Sequence, residues 1–138
     1  MGRRLIVDAN VLITWERTRV RPSALLDDDD VAIPGIVVAE LWHGVFAADR
    51  DSQRGPRQAF VDWIAHGGAF PVLAFTAATA REHGFLLDAV RRRGEPRGAH
   101  DFIMAAHARE TDRLILSRDA QARFGDLPGV RTLDPGRV

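Results

Sequence analysis

Three carboxylates stand alone in apolar company: Asp8 in LIVDANVLI, Glu40 in IVVAELWHGVF and Asp101 in GAHDFIMAAHA. Most other acids, such as Asp49, Asp51, Glu82, Asp112 and Asp126, sit among polar neighbours. An ionised carboxylate is costly to bury unless it is paired or bound to a metal. Glu40 is the sharpest case. Ile36, Val37, Val38, Leu41, Trp42, Val45 and Phe46 cover most of the circumference of its helix, which leaves Glu40 little room to face water. Each acid also has an ordinary structural role open to it. Asp101 in a first helical turn can cap free N–H groups, Asp8 at a strand end can bond a turn, and Glu40 can pair with an arginine. All three doing so at once is the less economical reading. Clustered oxygen ligands select hard cations, Mg²⁺ first and Mn²⁺ as a substitute.

Histidine gives little support for zinc. His43 follows Glu40 by three positions, and no second histidine completes an HExxH pattern. His100 and His107, on either side of the Asp101 segment, read as ordinary surface or core histidines, with contact to substrate the lesser alternative for His100.

The elements that must position these acids alternate between strands and helices. Strands are expected at 4–8, 31–33, 71–75 and 113–117, with an edge strand at 130–133. Helices are expected at 9–15, 36–48, 58–66, 77–93 and 99–110. Thr76 is placed to cap the fourth helix, and Gly94 to end it. Polar residues 49–57 read as a loop, and the run Asp27-Asp28-Asp29-Asp30 as a solvated turn. Strands that are continuous apolar runs imply a sheet buried on both faces, hence an α/β fold of three layers, α/β/α, around a central, mostly parallel sheet. Ligands of such sheets collect at the carboxyl ends of the strands. Asp8 ends the first strand and Asp119 follows the fourth.

Composition narrows the chemistry. The chain has 138 residues, enough for one domain, and 46% of them are hydrophobic, which supplies a core. Its formal net charge is zero, so charge alone does not argue for nucleic acid. All 19 basic residues are Arg. P-loop nucleotidases, haloacid-dehalogenase-type phosphatases and receiver domains rely on a lysine and are set aside. The absence of Cys removes disulfides, thiolate zinc and thiol nucleophiles. No stretch approaches the length of a bilayer span or of a signal-peptide core, so a soluble, cytoplasmic protein with no membrane association is expected. Trp15, Trp42 and Trp63 are expected in the core.

At these residues the chain resembles the PIN-domain nucleases, and most of all the VapC toxins of VapBC toxin–antitoxin pairs. LIVDANVLI resembles the first motif of the family, VVAELWHGV the second, HDFIMAAHARETDRLILSRD the third and FGDLPGVRTL its usual close. The resemblance implies a PIN-like fold over residues 1–138 and a Mg²⁺-dependent endoribonuclease. It makes Asp8, Glu40, Asp101 and Asp119 the catalytic metal ligands, with Asn10 and Ser117 in support. It also implies an RNA substrate, a VapB-like antitoxin and a homodimer. Arg91, Arg92, Arg93 and Arg97 form the densest basic stretch and are candidates to hold RNA phosphates. A PIN-like domain that binds RNA or protein without cutting is the alternative, and Asp119 is the ligand on which it turns.

Overall fold

The structure, a computed structural model, describes residues 2–94, 98–119 and 122–136. Arg97 lies outside the described residues. In chain order the elements are β1 (Arg4–Val7), α1 (Ala9–Thr18), β2 (Asp30–Pro34), α2 (Gly35–Phe46), α3 (Asp51–His66), β3 (Val72–Leu73), α4 (Ala77–Arg93), α5 (Ala99–Thr111), β4 (Leu114–Leu116) and β5 (Thr132–Leu133).

The strands form one parallel sheet in the order β3-β2-β1-β4-β5. Right-handed crossovers then put α1, α2 and α3 on one face, and α4 and α5 on the other. The central strand β1 is covered on both sides, which is why Leu5, Ile6 and Val7 form an unbroken apolar run and are essentially fully buried. Ala32, Ile33, Ile115 and Leu116 flank them in the core. From β1 the chain winds first toward β2 and β3, then crosses back to β4. The strand order therefore reverses between β1 and β4, and a crevice opens beyond their carboxyl ends.

Helices α4 and α5 run antiparallel. Thr76 and Thr79 at the start of α4 meet Glu110 near the end of α5, with Thr79 Oγ1 donating to Glu110 Oε2 at 2.6 Å. Thr76 caps α4 in a capping box with Thr79, and Gly94 ends it in the left-handed conformation at φ 69°. Arg91, Arg92 and Arg93 consequently share the end of the molecule where α5 begins.

Several expectations need correction. Helix α3 begins at Asp51, inside the segment 49–57 expected as a loop, and takes in Pro56. Docking explains the extension: Arg57 and Arg54 donate to the carbonyls of Gly44 and Ala48, at 3.0 Å each, satisfying groups that the end of α2 leaves open. Strand β3 shrinks to Val72–Leu73 because it is an edge strand, paired only to β2. The acidic run is not uniformly solvated. Asp29 has a side chain only 1% exposed, gripped by Arg3 through Nε–Oδ1 at 3.1 Å and Nη2–Oδ2 at 2.8 Å, and Asp30 opens β2. Trp15 and Trp42 are partly buried and pack against the core, but Trp63 is not a core residue. Trp63 is 41% exposed and meets Trp15 and Phe70 edge to face on the outside of α1 and α3.

Candidate metal centre at the carboxyl ends of the strands

Asp8 is the first residue past β1. Its N–H donates to Leu116 O at 2.9 Å, so the backbone stays paired to β4 as the chain turns into α1. Its carboxylate is buried and fully engaged. Oδ1 accepts from Ala9 N at 2.8 Å and meets His100 Nε2 at 3.3 Å. Oδ2 accepts from Ser117 Oγ at 3.0 Å and from Asn10 Nδ2 at 3.4 Å. Burial pushes the Asp8 carboxyl up, but these donors outweigh it, and its pKa falls below the ordinary carboxylate value.

Asn10 and Ser117 tie two loops together around Asp8. Asn10 Nδ2 also donates to Ser117 Oγ at 3.2 Å, and Asn10 Oδ1 accepts from Arg118 N at 3.0 Å. Ser117 Oγ accepts from Asp119 N at 3.1 Å. The hydroxyl thus donates once and accepts twice, its full capacity. This holds the start of α1 against the residues after β4 and fixes the direction in which Asp8 points.

Glu40 projects from α2 into the same crevice. The expectation that it has little room to face water is wrong: its side chain is 43% exposed, and Phe46 on the same helix is 73% exposed. Only Val37, Leu41 and Val45 of α2 are buried, so this apolar helix turns one stripe to the core and leaves another in solvent.

His100 stands between the two acids. It lies in the first turn of α5, with Nε2 toward Asp8 and Nδ1 2.7 Å from Glu40 Oε1. That second contact has ion-pair distance without hydrogen-bond alignment, and Nδ1 is buried with no hydrogen-bond partner. Asp8 first and Glu40 second raise the imidazole pKa to about 10, against the opposing effect of burial. Donor atoms of Asp8, Glu40 and His100 all lie within 4.8 Å of one another. Among the described residues no guanidinium pairs with Asp8 or Glu40.

The remaining predicted acids lie nearby but outside that group. Asp101 follows His100 in the first turn of α5, half-buried. Asp119 is exposed, and its Oδ1 accepts from Ala122 N at 3.1 Å, closing a turn. His100 is the site residue that sequence reasoning missed. The available signal was its place beside Asp101 at a helix start, where consecutive residues can face one end of the sheet. His107 is a core histidine as expected, packed edge to face on Phe75 and held below its ordinary pKa by burial.

Two openings flank the centre. Beyond Ser117 lies a polar cavity of about 380 Å³ lined in part by Arg118, Asp119, Arg123 and Asp134. Beside Glu40 lies a more apolar groove of about 260 Å³, lined in part by Ile13, Arg17, Leu41, Phe60 and Val61.

The PIN domain model matches residues 5–128. This chain belongs to the PIN domain family. Its fold is similar to solved structures of three VapBC assemblies. One is VapBC2 from Rickettsia felis bound to a DNA fragment from its promoter, at TM-score 0.79 and 18% identity over 94% of this chain and 97% of that one. Another is DNA-bound VapBC from Salmonella typhimurium, at TM-score 0.79 and 21% identity over 98% and 99%. The third is VapBC-5, a member of the VapBC toxin–antitoxin family from Mycobacterium tuberculosis, at TM-score 0.77 and 22% identity over 96% and 98%. No curated protein sequence matches the chain significantly. This PIN domain contains no helix, among the described residues, that is long and apolar enough to cross a membrane.

Proposed function

We propose that this PIN domain is a VapC-type endoribonuclease toxin that cuts RNA with the help of a divalent cation, Mg²⁺ or Mn²⁺. The observation that carries the reading is the convergence of Asp8 and Glu40, from separate elements, at the switch point of a parallel sheet, with no arginine paired to either among the described residues. Acids arranged only for structure attract guanidinium partners, as Asp29 does. The donor set fits a hard cation: carboxylate oxygens dominate, and donor atoms of Asp8, Glu40 and His100 lie within 4.8 Å of one another.

Asp8, Glu40, Asp101 and Asp119 are the residues assigned to hold the ion. When bound, the ion supplies neutralisation of the scissile phosphate and acidification of an attacking water. The protein's own part is positioning. Asn10 and Ser117 keep Asp8 oriented, and the start of α5 brings His100 and Asp101 to the crevice. Arg91, Arg92 and Arg93 share that end of the molecule. Asp88 pairs with the first two, at 3.4 Å and 3.2 Å, and Arg93 donates to Asp126 O at 2.7 Å, so they are held in place to meet phosphates flanking the cut. The apolar groove beside Glu40 suits a segment of a VapB-like antitoxin, and a homodimer is the assembly proposed.

A second reading has one observation in its favour. Asp119 spends its carboxylate on a turn, so a domain that binds RNA without cutting is the alternative. Cleavage of a structured RNA with and without EDTA separates the two. The wild-type chain should cut with Mg²⁺ or Mn²⁺, stop on chelation and recover when the ion is restored. Asp101→Asn should lower the rate by about 10²-fold or more with the fold retained. Equal cleavage by Asp101→Asn, or cleavage indifferent to EDTA, refutes the nuclease assignment.

A further inference from the structure

We infer that the polar cavity beyond Ser117 is a subsite for one unpaired nucleotide next to the cut, with Arg118 holding its phosphate and Asp134 selecting guanine as its base. The inference rests on the endoribonuclease reading above and adds to it a substrate subsite and a base preference.

The cavity and the metal centre share a wall. Ser117 Oγ donates to Asp8 Oδ2 at 3.0 Å, and Ser117 also lines the cavity. An RNA strand with its scissile phosphate at Asp8 therefore brings an adjoining nucleotide to the cavity's mouth. The volume of about 380 Å³ lies at the small end of ligand pockets, which suits a single nucleoside. Bases are read most readily where the strand is unpaired and a base can leave the stack.

Arg118 is the cation placed to hold the phosphate. Its N–H donates to Asn10 Oδ1 at 3.0 Å, which fixes the main chain from which the side chain projects. Arg118 is exposed, lines the cavity and makes no ion pair or side-chain hydrogen bond among the described residues. Other arginines at this end are engaged. Asp88 pairs with Arg91 and Arg92, Arg93 donates to Asp126 O, and Arg123 Nε lies 3.7 Å from Asp126 Oδ2. An uncommitted guanidinium can take a phosphate through two parallel bonds.

Asp134 follows β5 and lines the same cavity. Its Oδ1 accepts from Gly136 N at 2.7 Å, which orients the carboxylate, and its Oδ2 accepts no hydrogen bond among the described residues. A carboxylate repels phosphate and accepts from donors, so it meets the base rather than the backbone. Guanine alone among the four RNA bases presents two adjacent donors, N1–H and N2–H, on its Watson–Crick edge. Adenine and cytosine set one donor beside an acceptor, and uracil sets its donor between two acceptors. A carboxylate with two oxygens therefore favours guanine.

Fluorescence anisotropy of labelled single-stranded RNA hexamers tests this. The hexamers are uridine except for one guanine or one adenine, and EDTA is present so that binding is read without cleavage. The wild-type chain should bind the guanine hexamer about tenfold more tightly than the adenine one. Arg118→Ala should weaken both about fivefold and reduce the slope of log affinity against log salt by about 0.7, the share of one phosphate contact. Arg118→Lys should keep the slope. Arg21→Ala, beyond the far end of α1 and paired with Asp27, should change neither affinity nor slope. Asp134→Asn should lose the guanine preference without weakening the adenine hexamer. Equal binding of the two hexamers by wild type, an unchanged slope in Arg118→Ala, an equal fall in slope for Arg21→Ala, or an intact preference in Asp134→Asn overturns the inference. The nuclease reading is judged apart, by ion-dependent cleavage. If wild type cuts with Mg²⁺ and the binding results fail, only the subsite falls. If the binding results hold and no ion supports cleavage, the nuclease reading falls and the cavity belongs to a domain that binds RNA without cutting.

Discussion

The two ends of the sheet treat the same residue types in opposite ways. At the amino ends of the strands Asp29 and Asp30 are both held by arginines. Arg3 grips Asp29 with two parallel bonds, Arg4 reaches Asp30 at 3.5 Å, and the buried Arg113 donates to Asp30 Oδ1 at 3.2 Å and to the carbonyls of Asp30 and Leu5 at 2.8 Å and 3.2 Å. At the carboxyl ends Asp8 and Glu40 meet an imidazole, a hydroxyl and amides, with no guanidinium among the described residues. One end uses charge to close the structure. The other brings two carboxylates from separate elements to a single imidazole at the edge of a crevice.

That contrast can be broken at either end. The largest effect is expected from Asp8→Asn, which should reduce RNA cleavage by about 10²–10³-fold while the protein still melts cooperatively. Near-normal rates would place Asp8 with the structural acids. Next comes Arg113→Met. It leaves the Asp30 carbonyl and carboxylate short of a donor, and should cost about 2 kcal/mol in urea unfolding with cleavage per folded molecule preserved. A loss of activity without a loss of stability there would erase the distinction between the ends.

The smallest effect, about 1 kcal/mol, is expected from Asp29→Asn. Its pH dependence sharpens the comparison. The hydrogen bonds from Arg3 hold the Asp29 carboxyl below the ordinary carboxylate range. A lowered folded pKa means stability present above the unfolded value of about 3.9 and lost as pH falls through the folded value. Urea midpoints between pH 6 and pH 2 should therefore fall less steeply for Asp29→Asn than for wild type. Parallel curves would show that the pair contributes nothing on acidification.

Much of this architecture was legible from residues in order. Buried parallel strands announce themselves as unbroken apolar runs, so β1, β2 and β4 were found nearly to the residue. The lone acids Asp8 and Glu40 stood out for lack of charged neighbours, and they converge. What stayed hidden depended on partners distant in the chain. Helix α3 starts before Pro56 because Arg54 and Arg57 reach the end of α2, which local propensity does not record. Asp29 looked solvated because the arginine that buries it is 26 positions away. Glu40 was judged too enclosed because an apolar helix was assumed to be covered all round, whereas α2 leaves one side open to a groove. His100 was passed over because a lone histidine near a helix start has no pattern of its own.

The bonds around Asp8 span nearly the whole chain. Its partners His100 and Ser117 lie 92 and 109 positions further along. During synthesis, then, a growing polypeptide carries Asp8 and Glu40 long before it carries what orients them. A product ending ahead of β4 lacks the Ser117 hydroxyl that orients Asp8.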